Sequence, residues 1–193
     1  RSIKPPVYIP MGNHDYTDPS NPFFGFLNFI EGINFVSNPE VIMINGGLTS
    51  VAIMPHCQSE KVFEANCQAF HQYRPYPDLF LCHQTFDGAI AETGARLAGF
   101  SQAPISVLVP RLGVYAGDVH RPQRAANAVY VGAPYHIRFG DDFEPRCILV
   151  CENDRALDLH FDTLRKWSIT VRDADEIIGN NRFLPGDQIK VTV

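Results

Sequence analysis

Short apolar runs, each cut off by Pro, Gly or Asn, dominate the pattern of this chain. Val7, Tyr8 and Ile9 open it as a β-strand, which Pro10 and Gly12 then interrupt. "PSNPFFGFLNFIEG" is aromatic and turn-rich, and Phe23, Phe24, Phe26 and Phe29 read as a patch folded over a core. "INFVSNPEVIMINGGLTSVAIMPH" predicts strand, turn, strand, turn, strand, with Asn45-Gly46-Gly47 as a hairpin signal. In "SEKVFEANCQAFHQY" the spacing predicts a helix with Val62, Cys67 and Phe70 on one face. "DLFLCHQTF" is another apolar strand ending on a histidine, and "AIAETGARLAGFS" reads as a surface helix or an irregular segment. A third strand of this type lies in "LGVYAGDVHRPQ", before a polar loop. "NAVYVGAPYHIRFG", "RCILVCEND" and "ALDLHFDTL" predict a meander of short strands. The tail, from Trp167 onward, reads as strand, short helix, strand and suggests a second unit.

Composition narrows this to one α/β (α+β) core with shaped loops. The chain has 193 residues, 45% of them hydrophobic, enough for one sizeable core, and its 15 Pro and 14 Gly favour short elements. Its net charge of −5 carries no global nucleic-acid signature, although a bound cation can supply the charge that meets phosphate. No apolar run approaches the roughly 20 residues of a membrane span, and no signal-peptide pattern opens the chain. The five cysteines (Cys57, Cys67, Cys82, Cys147, Cys151) form no C-x-x-C pair. An odd set of this kind predicts free, buried thiols in a reducing, cytoplasmic setting.

Candidate chemistry gathers after three of the predicted strands: Asn13-His14-Asp15, Cys82-His83, and Asp118-Val119-His120. Imidazole, carboxylate and amide groups together suit Mn²⁺, Fe²⁺ or Zn²⁺. Each loop by itself is equally a hydrogen-bonded turn or a satisfied polar strand end. Strand ends are where layered α/β proteins collect ligands.

In this order and context, "GNHD" at Gly12–Asp15, the His of "CHQTF" and "GDVH" at Gly117–His120 resemble the calcineurin-like metallophosphoesterase superfamily. That family carries D-x-H, G-D-x-x-D, G-N-H-D/E, an isolated His and G-H-x-H in turn. "YAGDVHRPQ" and "VYVGAPYHIRFGDDFEPRCILV" are further similar to segments of SbcD-type DNA repair exonucleases, nuclease subunits that partner an SMC-like ATPase. The likeness runs from about Val7 to Leu159. It implies a β-sandwich flanked by helices over residues 1–165, followed by the start of a small capping or DNA-binding region at 166–193.

Two departures from the family accompany the likeness. The chain begins eleven residues before G-N-H-D, so the D-x-H and G-D-x-x-D motifs are missing and the fold is expected to be incomplete at its N-terminus. Asp118 also stands where the family has the first His of G-H-x-H.

The resemblance implies that Asn13, His83 and Asp118 bind one metal and that His120 helps to bind a second. His14 would face the scissile phosphate and aid the leaving group, with Asp15 orienting it. Mn²⁺ is the expected cofactor, with Mg²⁺, Fe²⁺ or Zn²⁺ as alternatives, in a pair about 3.5–4 Å apart. Tyr135, His136, Arg121, Arg124 and Arg138 could contact the nucleic-acid backbone, a solvated basic edge being the other reading of the arginines. His56, His71 and His160 have no motif support and read as structural, and His136 shares that second reading. The expected function is a metal-dependent DNA exo/endonuclease subunit, with DNA, an SMC-like ATPase and a second copy as partners. The rivals are a phosphoesterase for nucleotides or phosphoproteins and a non-catalytic scaffold that keeps the fold.

Overall fold

The computed structural model describes residues 5–139, 141, 148–152, 155–159, 163, 165–170 and 183–192. Its centre is a six-stranded mixed sheet in the order β3-β4-β5-β6-β8-β7. Strands β3 (Glu40–Ile44) and β4 (Thr49–Met54) form the predicted antiparallel hairpin. Its turn holds Asn45, Gly46 and Gly47 at φ of 52°, 66° and 89°, a left-handed run that explains the two glycines. Strands β5 (Leu79–His83), β6 (Val114–Gly117) and β8 (Ala128–Tyr130) continue parallel to β4, and β7 (Gln123–Ala125) closes the edge antiparallel to β8. Apart from this sheet, β1 (Val7–Pro10) pairs in parallel with β2 (Ile33–Val36).

Side-chain alternation along β4 and β5 turns these pieces into layers. Ala52, Met54, Phe80 and Cys82 join the cluster that includes Phe63, Cys67 and Phe70 of helix α1 (Glu60–Gln72). Val51, Ile53, Leu79 and Leu81 point the other way and pack with Tyr8 and Val36 of the two-stranded sheet. The six-stranded sheet is therefore covered by a helix on one face and by β1 and β2 on the other. The predicted α/β class stands in this mixed form. No helix among the described residues is long and apolar enough to cross a membrane.

Several details differ from the sequence-based expectation. The buried stripe of α1 is Phe63, Cys67 and Phe70, spaced i, i+4, i+7, whereas Val62 lies one position off it and is 53% exposed. The aromatic run does not fold over the core: Phe23, Phe24, Phe26 and Phe29 are exposed around a short 3-10 helix, Gly25–Phe29, with Leu27 packed inward and the Phe24 ring edge-on to Phe35. Of the two readings of residues 89–101, surface helix or irregular segment, the second holds. Bridges Phe86↔Phe100 and Ile90↔Arg96 shape it, and Ala89, Ala91 and Glu92 are buried. Helix α2 (Ala103–Ser106) is a single turn after it.

Beyond β8, β9 (Ile148–Glu152) and β10 (Arg155–Leu159) form an antiparallel hairpin. Strands β11 (Lys166–Thr170) and β12 (Gln188–Thr192) pair in parallel as a separate sheet. The short helix predicted between them lies outside the described residues. Cys57, Cys67 and Cys82 are buried and free, and burial pushes the Cys67 thiol up to about 12.

Candidate active site

Parallel pairing decides what meets at the edge of the sheet. In the β5–β6 register His83 lies opposite Gly117, so the last residue of one strand stands beside Asp118, the first after its neighbour. The loop after β1 reaches the same point from the other sheet. Its Asn13 donates Nδ2–H to Asp118 Oδ1 at 2.9 Å, and the His83 Nε2 to Asp118 Oδ1 distance is 3.8 Å. These groups border a cleft of about 360 Å³ that is also lined by His14 and His120. The three loops singled out in the sequence thus open onto one cavity.

The site is tightly shaped around His83 and Asp118. Asp118 has φ of 81°, a left-handed conformation unusual for a residue with a side chain. The Thr85 hydroxyl donates to Asp118 Oδ2 at 2.6 Å and fixes the carboxylate. His83 is wedged between two glycines. A Cβ on Gly117 would come within 2.7 Å of its Nδ1, and one on Gly12 within 3.1 Å of its Nε2. Burial holds the His83 imidazole below its usual range against the opposing pull of Asp118, so the ring is neutral at pH 7 with a lone pair available. Gly117→Ala should displace this ring. A drop of about 10–100-fold in affinity for the Mn²⁺ that the resemblance implies is expected, the usual effect of disturbing a ligand's support, with the far-ultraviolet circular dichroism unchanged. Unchanged affinity in calorimetry would show that His83 is not held by this glycine pair.

The loop carrying His14 is closed on itself, since Asp15 Oδ2 accepts the Gly12 N–H at 2.6 Å. The hydrogen bond described for Asp15 is therefore to the backbone of the loop and not to the His14 ring. His14 itself is exposed. Across the cleft, His120 Nδ1 lies 3.8 Å from Glu92 Oε2, and Arg138 Nε lies 3.1 Å from Glu92 Oε1. Of the other expected substrate contacts, Tyr135 is exposed, Arg124 is exposed on the edge strand and Arg121 is half-buried. His136 is the exception. It is 3% exposed and its Nδ1 accepts the Lys166 N–H at 3.3 Å, which ties the segment after β8 to β11 and withdraws the ring from the surface.

Three further residues border the site that the motifs did not assign to it: Thr85, Glu92 and His56, the last of which reads from the sequence as structural. Whereas His83 is the last residue of β5, His56 lies two residues beyond the end of β4. Its N–H donates to Met11 O at 2.8 Å, its Nδ1 lies 2.6 Å from the Tyr16 hydroxyl, and its ring centroid lies 6.4 Å from that of His83. Burial lowers its pKa, with Asp118 opposing and His14 adding to the shift. The apolar run "VAIMPH" was its signal. Thr85 and Glu92 had none, because both are tied to the site through partners distant in sequence.

The donors present fit a divalent cation. Asn13, His83 and Asp118 offer an amide, a neutral imidazole and a carboxylate at one point, a set that hard and borderline metals accept. Among the described residues no three His, Cys, Asp or Glu side chains group so as to hold a metal ion. No known protein-family model matches the chain, and no curated protein matches it.

Proposed function

We propose that this chain carries the phosphodiester-cleaving site of a metal-dependent DNA exo/endonuclease subunit of the metallophosphoesterase type, working with an SMC-like ATPase in the cytoplasm. The observation that carries this reading is the convergence of Asn13, His83 and Asp118 from two separate sheets, with an exposed imidazole, His14, one residue from the first of them. A structural polar cluster would not need strain at Asp118 or a histidine seated between two glycines.

Asn13, His83 and Asp118 would hold one cation, and His120 would contribute to a second. Bound divalent metals supply Lewis-acid polarisation of phosphate oxygens and a nucleophilic water at neutral pH. The chain's own residues do the rest. Thr85 and the two glycines orient the ligands, and the Asp15–Gly12 hydrogen bond stiffens the loop so that His14 is held at the mouth of the cleft. From there His14 delivers a proton to the leaving oxygen. Arg138 and Arg124 offer guanidinium groups to the nucleic-acid backbone.

End-labelled duplex DNA incubated with the protein and Mn²⁺ should be cut, and a chelator should stop the reaction. Asp118→Ala should lose activity more completely than Asp118→His, because imidazole restores a metal-binding nitrogen. Cutting that persists in chelator, or equal loss in both variants, would contradict the role given to Asp118.

A further inference from the structure

Glu92 is a buried carboxylate that the proposed reaction leaves unused. It is 9% exposed, and a carboxylate in that position needs partners to offset its lost hydration. Its segment is rigid. Ala91 N–H donates to Ala95 O at 2.8 Å, and Gly94 N–H to Ala91 O at 3.0 Å with Gly94 at φ of 81°. The Gln123 side chain then clamps the loop to the edge strand, accepting Ile90 N–H at 2.7 Å and donating to Ile90 O at 2.6 Å. Glu92 is thereby fixed relative to the segment that follows β6.

Two basic side chains converge on it. Arg138 Nε is 3.1 Å from Oε1, but the Arg138 side chain is 65% exposed, so that pair alone stabilises little. The second partner is more telling. Among the described residues His120 Nδ1 is buried with no hydrogen-bond partner, and Glu92 Oε2 lies 3.8 Å from it. A buried imidazole nitrogen 3.8 Å from a buried carboxylate needs only a small closing movement to gain the hydrogen bond it lacks. Because Nδ1 is the buried nitrogen, Nε2 is the one a ligand in the cleft can reach.

We propose that Glu92 is a positioning residue for His120: one carboxylate oxygen accepts the hydrogen bond of Nδ1–H, which fixes the Nδ1–H tautomer and so presents the Nε2 lone pair to the cleft, while its other oxygen holds Arg138 at the rim. This is the carboxylate–histidine support found behind metal-ligating imidazoles generally. The consequence for function rests on the proposed nuclease reading, but the tautomer does not.

The test is long-range ¹H–¹⁵N correlation of the histidine rings in the full chain at a pH where they are neutral. The parent should show His120 as the Nδ1–H tautomer. Glu92→Leu should move it toward Nε2–H, and Glu92→Gln, which keeps an acceptor, should restore most of the parent pattern. An Nε2–H ring in the parent overturns the proposal without any variant, and so does an Nδ1–H ring insensitive to Glu92→Leu. In Mn²⁺ titrations Glu92→Leu should weaken binding about 10–100-fold. If the tautomer behaves as stated while the protein neither binds Mn²⁺ nor cuts DNA, the Glu92 assignment is supported and the nuclease reading falls.

Discussion

His14→Asn in the Mn²⁺-loaded protein is expected to cut DNA about 10²–10⁴-fold more slowly than the parent, the usual contribution of a positioned general acid. That corresponds to about 3–5 kcal/mol of transition-state stabilisation at 1.36 kcal/mol per tenfold. Metal content and DNA affinity should stay close to the parent, because His14 is exposed at the cleft mouth while its neighbour Asn13 faces Asp118. Asn13→Ala should separate from it by losing metal and activity together. Elemental analysis beside cleavage of a labelled duplex reads both quantities. A loss of metal in His14→Asn would make His14 a ligand, and parent-like cleavage would remove it from the chemistry.

Phe63→Ala should be the most damaging single truncation in α1, at about 3–5 kcal/mol of unfolding free energy. The Phe63 side chain is fully buried and makes edge-on contacts with Phe86 at 5.5 Å and Phe100 at 5.8 Å. The loss would also be felt at the cleft. Phe86 N–H donates to the Tyr130 hydroxyl at 2.8 Å, and that hydroxyl donates to Gln84 O at 2.9 Å, so the backbone just after His83 hangs on the same packing. Val62→Ala, one residue away and facing solvent, should change stability by less than about 0.5 kcal/mol. Urea unfolding of the two variants gives the comparison, and similar losses would mean that the helix is docked by a different face.

Strands and strand ends were the legible part of this sequence because they are local. Val7-Tyr8-Ile9, "LFLCH" and "VYAG" are apolar runs with clear breaks, and each became a strand with its polar residues at the tip. Register then brought together what the motifs only ordered, as with His83 opposite Gly117. What failed depended on tertiary partners. The edge strand Gln123–Ala125 has no β-branched residue and exists because β8 offers it a ladder. Of the two readings of His136 the structural one held, and its burial depends on β11, a partner that no local pattern reveals. Glu92 is separated from both His120 and Arg138 by long stretches of chain, so no local pattern could pair them. The exposed aromatic run at Phe23–Phe29 shows the reverse error, in which hydrophobic composition was read as burial.

A cation site for phosphodiester hydrolysis at the strand ends makes a prediction that can be read residue by residue. The most direct measurement is a Mn²⁺ titration of the chain followed by residue-resolved paramagnetic broadening in NMR spectra. Signals of Asn13, His83 and Asp118 should broaden first, His120 should follow, and a diamagnetic Mg²⁺ excess should reverse the effect. Broadening centred elsewhere, or spread evenly over surface carboxylates such as Asp18 and Glu31, would contradict such a site.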